Sequence, residues 1–140
     1  MKTKTLLLAA SSATLIGTLL FEVPNVVAQM TPPTENKGVV IKPVGAMPLA
    51  AEISEIGGRQ LRVRYITLAP GGVFAEHNHK DRPTVEYVLK GNVVEYRGTV
   101  GKPYRGGDSV LSDKDTTHWW RNEGTEEAIF IAADVFNPPK

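Results

Sequence analysis

The chain reads as an all-β protein of one domain, a barrel or sandwich of short strands. Three features point there. Short runs rich in valine, isoleucine, tyrosine and threonine recur along the sequence, glycine, proline, asparagine and aspartate separate them, and no stretch sustains a helical period. Many short strands joined by frequent turns bury one core only by closing on themselves or by packing as two sheets.

Taken in order, strands are expected near Gly38 to Ile41, Ala50 to Ile56, Leu61 to Leu68, Val73 to His79, Thr84 to Lys90, Val93 to Arg97, Ser109 to Ser112, His118 to Arg121 and Glu127 to Val135. The expected turns are Pro70-Gly71-Gly72, Asp81-Arg82-Pro83, Gly91-Asn92, Gly106-Gly107-Asp108 and Asn122-Glu123-Gly124. Each has a residue that fixes φ, frees it, or bonds its own backbone.

The first residues differ in kind. Lys2 and Lys4 give a positive start, Leu6 to Leu20 is dominated by apolar and small residues, and Val26-Val27-Ala28 offers small side chains for cleavage. This is the pattern of a secretory signal peptide, residues 1–28. Ser11, Ser12, Thr14, Gly17 and Glu22 interrupt the apolar run before the roughly 20 residues that a spanning helix needs. Residues 29–37, polar and proline-bearing, are expected to form a flexible leader before a domain over 38–140. A periplasmic or secreted product is expected.

Removing Lys2, Lys4 and Glu22 from the 16 basic and 15 acidic residues leaves 14 of each. A formally neutral chain without a basic cluster is not expected to bind nucleic acid, which requires concentrated positive charge. Cleavage also leaves no membrane segment. The chain has no cysteine, so export to an oxidising compartment raises no pairing problem.

Chemistry concentrates on the three histidines. His77-Asn78-His79 lies in a strand-like run, where alternation puts both rings on one face roughly 7 Å apart, close enough to lean toward one ion at about 2.1 Å. A His-x-His pair alone is weak evidence. Its surroundings sharpen it: Gly71, five residues, His77-x-His79, eleven residues, Gly91; and later Gly107, five residues, Asp113-x-Asp115, two residues, His118, three residues, Asn122.

These blocks resemble the paired motifs of the cupin superfamily, over roughly residues 60–136. The resemblance implies a cupin double-stranded β-helix, a jelly-roll-like barrel, with His77, His79 and a glutamate from the first block and His118 from the second holding one divalent transition metal: iron, manganese, zinc, nickel or copper. It also implies a small-molecule ligand or substrate and a possible homodimer. Asp113 and Asp115 stand where the family usually has proline and glycine. Thr84 stands where it has the ligand glutamate, and a hydroxyl is a poor ligand beside carboxylate or imidazole. Glu86 shares Thr84's strand face and is the candidate replacement, the alternative being a solvated or structural Glu86.

Other residues carry less. Of Trp119 and Trp120, alternation puts one in the barrel wall and the other at its mouth, with a core role favoured over a site role. Arg82-Pro83 fixes the entry to the next strand, with Arg82 able to meet an anion. Tyr65 and Tyr87 are core or pocket residues, with Tyr87 facing away from the metal by parity. Glu76 and Asn78 are expected in solvent. Small cupins include dioxygenases, isomerases and decarboxylases. A metal-dependent oxidoreductase or isomerase is therefore one reading, a binding module without turnover is a second, and histidines with a purely structural role are a third. No second inward acid-base group is evident in the sequence.

Overall fold

The computed structural model describes residues 30–139, so the expected signal peptide lies outside the described residues. Eight strands follow one another: β1 (Lys37–Pro48), β2 (Gln60–Asn78), β3 (Thr84–Lys90), β4 (Asn92–Arg97), β5 (Val100–Arg105), β6 (Ser109–Ser112), β7 (Thr117–Arg121) and β8 (Ala128–Phe136). Hydrogen bonding orders them β5-β4-β7-β2-β8-β3-β6, with β1 paired antiparallel to β2. The result is the expected all-β, nearly closed barrel.

The long β2 makes this barrel possible. Its first half pairs with β8 from Gln60 to Leu68, and its second half pairs with β7 from Val73 to Asn78. Between them Pro70-Gly71-Gly72, expected as a turn between two strands, is instead the bend at which one strand passes from one side of the barrel to the other. Gly71 has φ +69°, and a side chain at Gly72 would come within 2.7 Å of the Ala69 carbonyl oxygen. Only glycine meets both requirements cheaply.

Two expectations need correction. Ala50 to Ile56 is not a strand. Leu49 is buried and accepts from the amides of Glu52 and Ile53, and Ser54–Ile56 forms a 3-10 turn. Local bonding thus wins where no neighbouring strand offers a ladder. Conversely, Val100–Arg105, which carries Gly101 and Pro103 and was not among the expected strands, is a strand. It pairs only with β4, and on that outer position Pro103 has no ladder bond to spoil on its free side. The leader is partly held: the Pro33 carbonyl accepts from the Glu76 amide at 2.8 Å and Asn36 Oδ1 from the Ala75 amide at 2.9 Å.

Inward parity selects the core. Ile66 and Leu68 of β2, Val88 of β3, Val93 of β4, Val110 of β6, Trp120 of β7 and Ala128, Phe130 and Ala132 of β8 form one buried cluster. Both tryptophans are buried, which agrees with the favoured core role, and neither lies at a barrel mouth. Trp120 joins the core with its ring centroid 4.9 Å from that of Phe130, while Trp119 stacks on Tyr96 with centroids 4.0 Å apart. Covering by the β4 side chain, rather than a barrel mouth, accounts for Trp119.

Gly91 turns β3 into β4 with φ +82°, and an added methyl would lie 2.9 Å from the Ala128 Cα. Gly91→Ala is expected to cost about 2 kcal/mol or more, because left-handed backbone and a backbone clash add. Urea denaturation of the two proteins measures this, and an unchanged midpoint would contradict it.

Candidate metal centre

The cross-strand register of β2 and β7 places His77 directly opposite His118, and His79, the residue just after β2, reaches the same interior with its amide donating to the Thr116 carbonyl at 2.9 Å. The His79 and His118 Nε2 atoms lie 3.0 Å apart, and those of His118 and His77 lie 3.2 Å apart. Glu86 enters from β3, with Oε1 3.8 Å from Nε2 of both His79 and His118. One donor atom from each of the four residues falls within 4.8 Å of all the others. The structure therefore brings together all four residues singled out in the sequence.

The outer nitrogens explain the orientation of the rings. His77 Nδ1 donates to the Ala75 carbonyl at 2.9 Å, His118 Nδ1 to Glu95 Oε1 at 2.7 Å, and His79 Nδ1 to the Thr84 hydroxyl at 2.8 Å and the Arg82 carbonyl at 3.0 Å. Carbonyl and carboxylate oxygens only accept, so Nδ1 of each ring carries a proton, and a ring with no second proton presents a lone pair at Nε2. Three lone pairs facing one another at such distances repel unless a cation lies between them. Donors at about 2.1 Å from an ion and at right angles to each other are about 3.0 Å apart, so the spacing fits a transition metal. The residues present fit a bound metal ion.

Burial agrees with neutral rings at His77 and His79. Burial first, with the neighbouring histidines and Arg82 adding to it, pushes His77 down to about 3 against the Ala75 hydrogen bond. Burial likewise pushes His79 down to about 4. Burial raises the Glu86 carboxyl above its ordinary value, against the pull of His118 and the Ser112 hydroxyl, which donates to Oε2 at 3.0 Å. A cation at the Nε2 cluster would favour the ionised form.

Thr84, at the position of the family glutamate, stands behind His79 rather than among the donors. Its hydroxyl also donates to the Arg82 carbonyl at 2.9 Å and so fixes the ring from outside. Glu86, one β-repeat further along, is 6 % exposed and faces inward, which removes the solvated alternative. Glu76 and Asn78 are exposed as expected; Tyr87 faces away from the centre as parity required, but is exposed rather than in core or pocket, and Tyr65 is half-buried. The Asn122 amide closes the turn after β7, donating to the Leu68 and Glu126 carbonyls.

Sequence reasoning missed two groups. Glu95 is an inward acid: burial raises its carboxyl, but the bonds from His118 and Arg97 outweigh this and hold it below the usual range. Parity with buried Val93 was the available signal. The second is Asp134, which continues the inward series Ala128, Phe130, Ala132 on β8 and is fully buried. Arg62 donates to it at 3.0 and 2.8 Å and Arg64 at 2.8 Å, with Arg82 3.9 Å away. Arg82 thus meets a protein carboxylate.

Fold and donor set together define a double-stranded β-helix barrel with a candidate metal centre. The cupin domain model matches residues 64–134, and the chain belongs to the cupin family. The fold also resembles the cupin domain of an XRE family transcriptional regulator from Enterobacter cloacae, at 17% identity and TM-score 0.55 over 73% of this chain and 100% of that one. A predicted oxalate decarboxylase from Thermotoga maritima is similar at 20% identity and TM-score 0.57, over 80% and 99% of the two chains. A conserved protein with a double-stranded β-helix domain from Klebsiella pneumoniae gives 18% and 0.59, over 74% and 82%. No curated protein sequence matches this chain.

The histidine shifts fix a pH dependence for the metal-free protein. Folded His77 and His79 bind protons only near pH 3 to 4, whereas unfolded they do so near 6.5, so the unfolded chain holds more protons between these values. Their contribution is complete above about 6.5 and is lost as pH falls, by up to about 1.4 kcal/mol per pH unit for each ring. Glu86, raised in the fold, has the opposite slope, which Glu86→Gln removes. Chelator-treated Glu86→Gln protein should be clearly less stable at pH 4.5 than at 7 in urea denaturation; equal stability would contradict the assignment of neutral rings.

Proposed function

We propose that this chain is an exported cupin that binds a divalent transition metal through His77, His79, His118 and Glu86 and acts there on a small organic substrate as an oxidoreductase or isomerase. The observation that carries the reading is the convergence of three Nε2 lone pairs whose Nδ1 protons are already committed to fixed oxygens. A bound metal would supply Lewis acidity, and an iron, manganese or copper ion also redox chemistry. The chain's own contributions are orientation and exclusion of water: Thr84, Glu95 and Ala75 hold the rings, while Phe74, Ile66, Trp120 and Phe130 wall the centre.

Beside the centre a cavity of about 10 Å³ is lined by Arg64, His77, Glu86 and those four apolar side chains. It has room for about one water. Arg64 Nε is buried there without a protein acceptor, which suits an oxygen atom of a ligand. The narrowness also favours a second reading, in which the barrel binds a metal without turnover of an organic substrate.

Metal analysis and a turnover assay with small organic acids separate the two. His118→Ala should lower metal affinity at least about tenfold, since second-sphere changes alone reach 10 to 100-fold. Glu86→Gln should weaken metal binding or turnover more than Thr84→Ala, because Glu86 reaches the donor cluster and Thr84 supports one ring from behind. Full metal stoichiometry and affinity in His118→Ala would overturn the centre, and absence of turnover in the metal-loaded unmutated protein would favour the binding module.

Export rests on the charged, apolar and small-residue pattern of residues 1–28. The intact mass of the protein recovered from its native compartment should correspond to a chain beginning near Gln29. A retained Met1 would exclude cleavage.

A further inference from the structure

The sheet order ends at β5 on one side and β6 on the other, and no ladder joins these two strands. The barrel therefore has an open seam. Arg97 crosses it, donating through Nε to Glu95 Oε1 at 2.8 Å and through Nη2 to the Leu111 carbonyl at 3.3 Å. Along the seam lies a pocket of about 430 Å³, within the range of small-molecule sites, where a few polar groups orient a largely apolar ligand.

The charges of this pocket do not balance. Arg97 and Lys102 line it with a single carboxylate, Glu95. That carboxylate is already shared: His118 Nδ1 donates to it at 2.7 Å, Arg97 at 2.8 Å and the Tyr104 hydroxyl at 3.2 Å. Lys102 Nζ sits 4.9 Å from the centre of the Tyr104 ring, and among the described residues no carboxylate lies within ion-pair distance of it. Val100, Val110 and Leu111 supply an apolar wall beside the two cations.

We propose that this seam is a second ligand site, separate from the metal centre's own cavity, that takes a small organic anion with its carboxylate at Arg97 and Lys102 and its apolar body against Val100, Val110 and Leu111. Arginine and lysine both donate charge-assisted hydrogen bonds to a carboxylate, and an exposed valine and leucine gain by being covered. A bare inorganic anion would use the cations and leave the apolar wall in water. The ligand touches Arg97, Arg97 touches Glu95, and Glu95 touches His118, so occupancy of the seam reaches a metal-site histidine through two hydrogen bonds.

Calorimetric titration of the full protein with benzoate and, separately, with inorganic phosphate tests this without requiring a metal. Benzoate should bind at least tenfold more tightly than phosphate, and Lys102→Gln, an exposed position whose loss leaves the barrel intact, should weaken benzoate about tenfold. His77→Ala, verified as folded by circular dichroism, should leave benzoate affinity unchanged. Equal binding of the two anions would overturn the apolar wall. An unchanged affinity in Lys102→Gln would overturn the site, as would loss of binding in folded His77→Ala, which would move benzoate to the metal centre. Failure of the metal assignment would show in the metal titrations and leave these affinities as they are.

Discussion

Three imidazole protons, each held by a fixed oxygen on the outer side of its ring, govern this molecule's interior. With Nδ1 of His77, His79 and His118 donating to Ala75, Thr84 and Glu95, the Nε2 atoms present electron pairs to one another at 3.0 to 3.2 Å. A protein core does not gather three acceptors without a donor or a cation to satisfy them. The arrangement therefore costs stability in the bare chain, and the surrounding barrel must hold it.

The barrel does so through β2. One strand that bends at Gly71-Gly72 gives its first half to β8 and its second to β7, so that His77 and His79 are tied at once to the strand carrying His118 and, through β8, to β3 carrying Glu86. The bend and the centre are thus one construction. The aromatic wall of Phe74, Trp120 and Phe130 packs directly on it, with the Phe74 and His77 ring centroids 4.8 Å apart and those of His118 and Trp120 5.4 Å apart. Burial keeps His77 and His79 neutral and available as donors to a metal.

A second layer of charge lies around the first. Buried Asp134 gathers Arg62 and Arg64, and Glu95 gathers His118, Arg97 and Tyr104. Removing one partner from either group would leave a buried charge uncompensated, so these networks define the interior geometry more than they add to net stability. They also connect the centre outward: Arg64 lines its small cavity, and Arg97 lies in the seam where the barrel is open.

The strand pattern, the spacing of His77, His79 and His118, and the inward parity of Glu86 were all legible in the linear chain, because β alternation is a local property and turn glycines mark its interruptions. The same alternation placed Glu95 and Asp134 inside, but a charged residue at an inward position becomes recognisable only when its partners are in view, and those lie on other strands: Glu95 meets His118 from 23 residues away and Asp134 meets Arg62 from 72. The strand at Val100–Arg105 was hidden for a related reason, since Pro103 excludes a central strand and is compatible with an outer one, and position in a sheet is a tertiary fact. The sequence by itself determined which residues could face inward and which could bind a metal; only the closure of the barrel decided that four of them meet at one point, that Thr84 stands behind a ring while Glu86 stands before it, and that a seam is left between β5 and β6, because each of these depends on strand register across the whole chain.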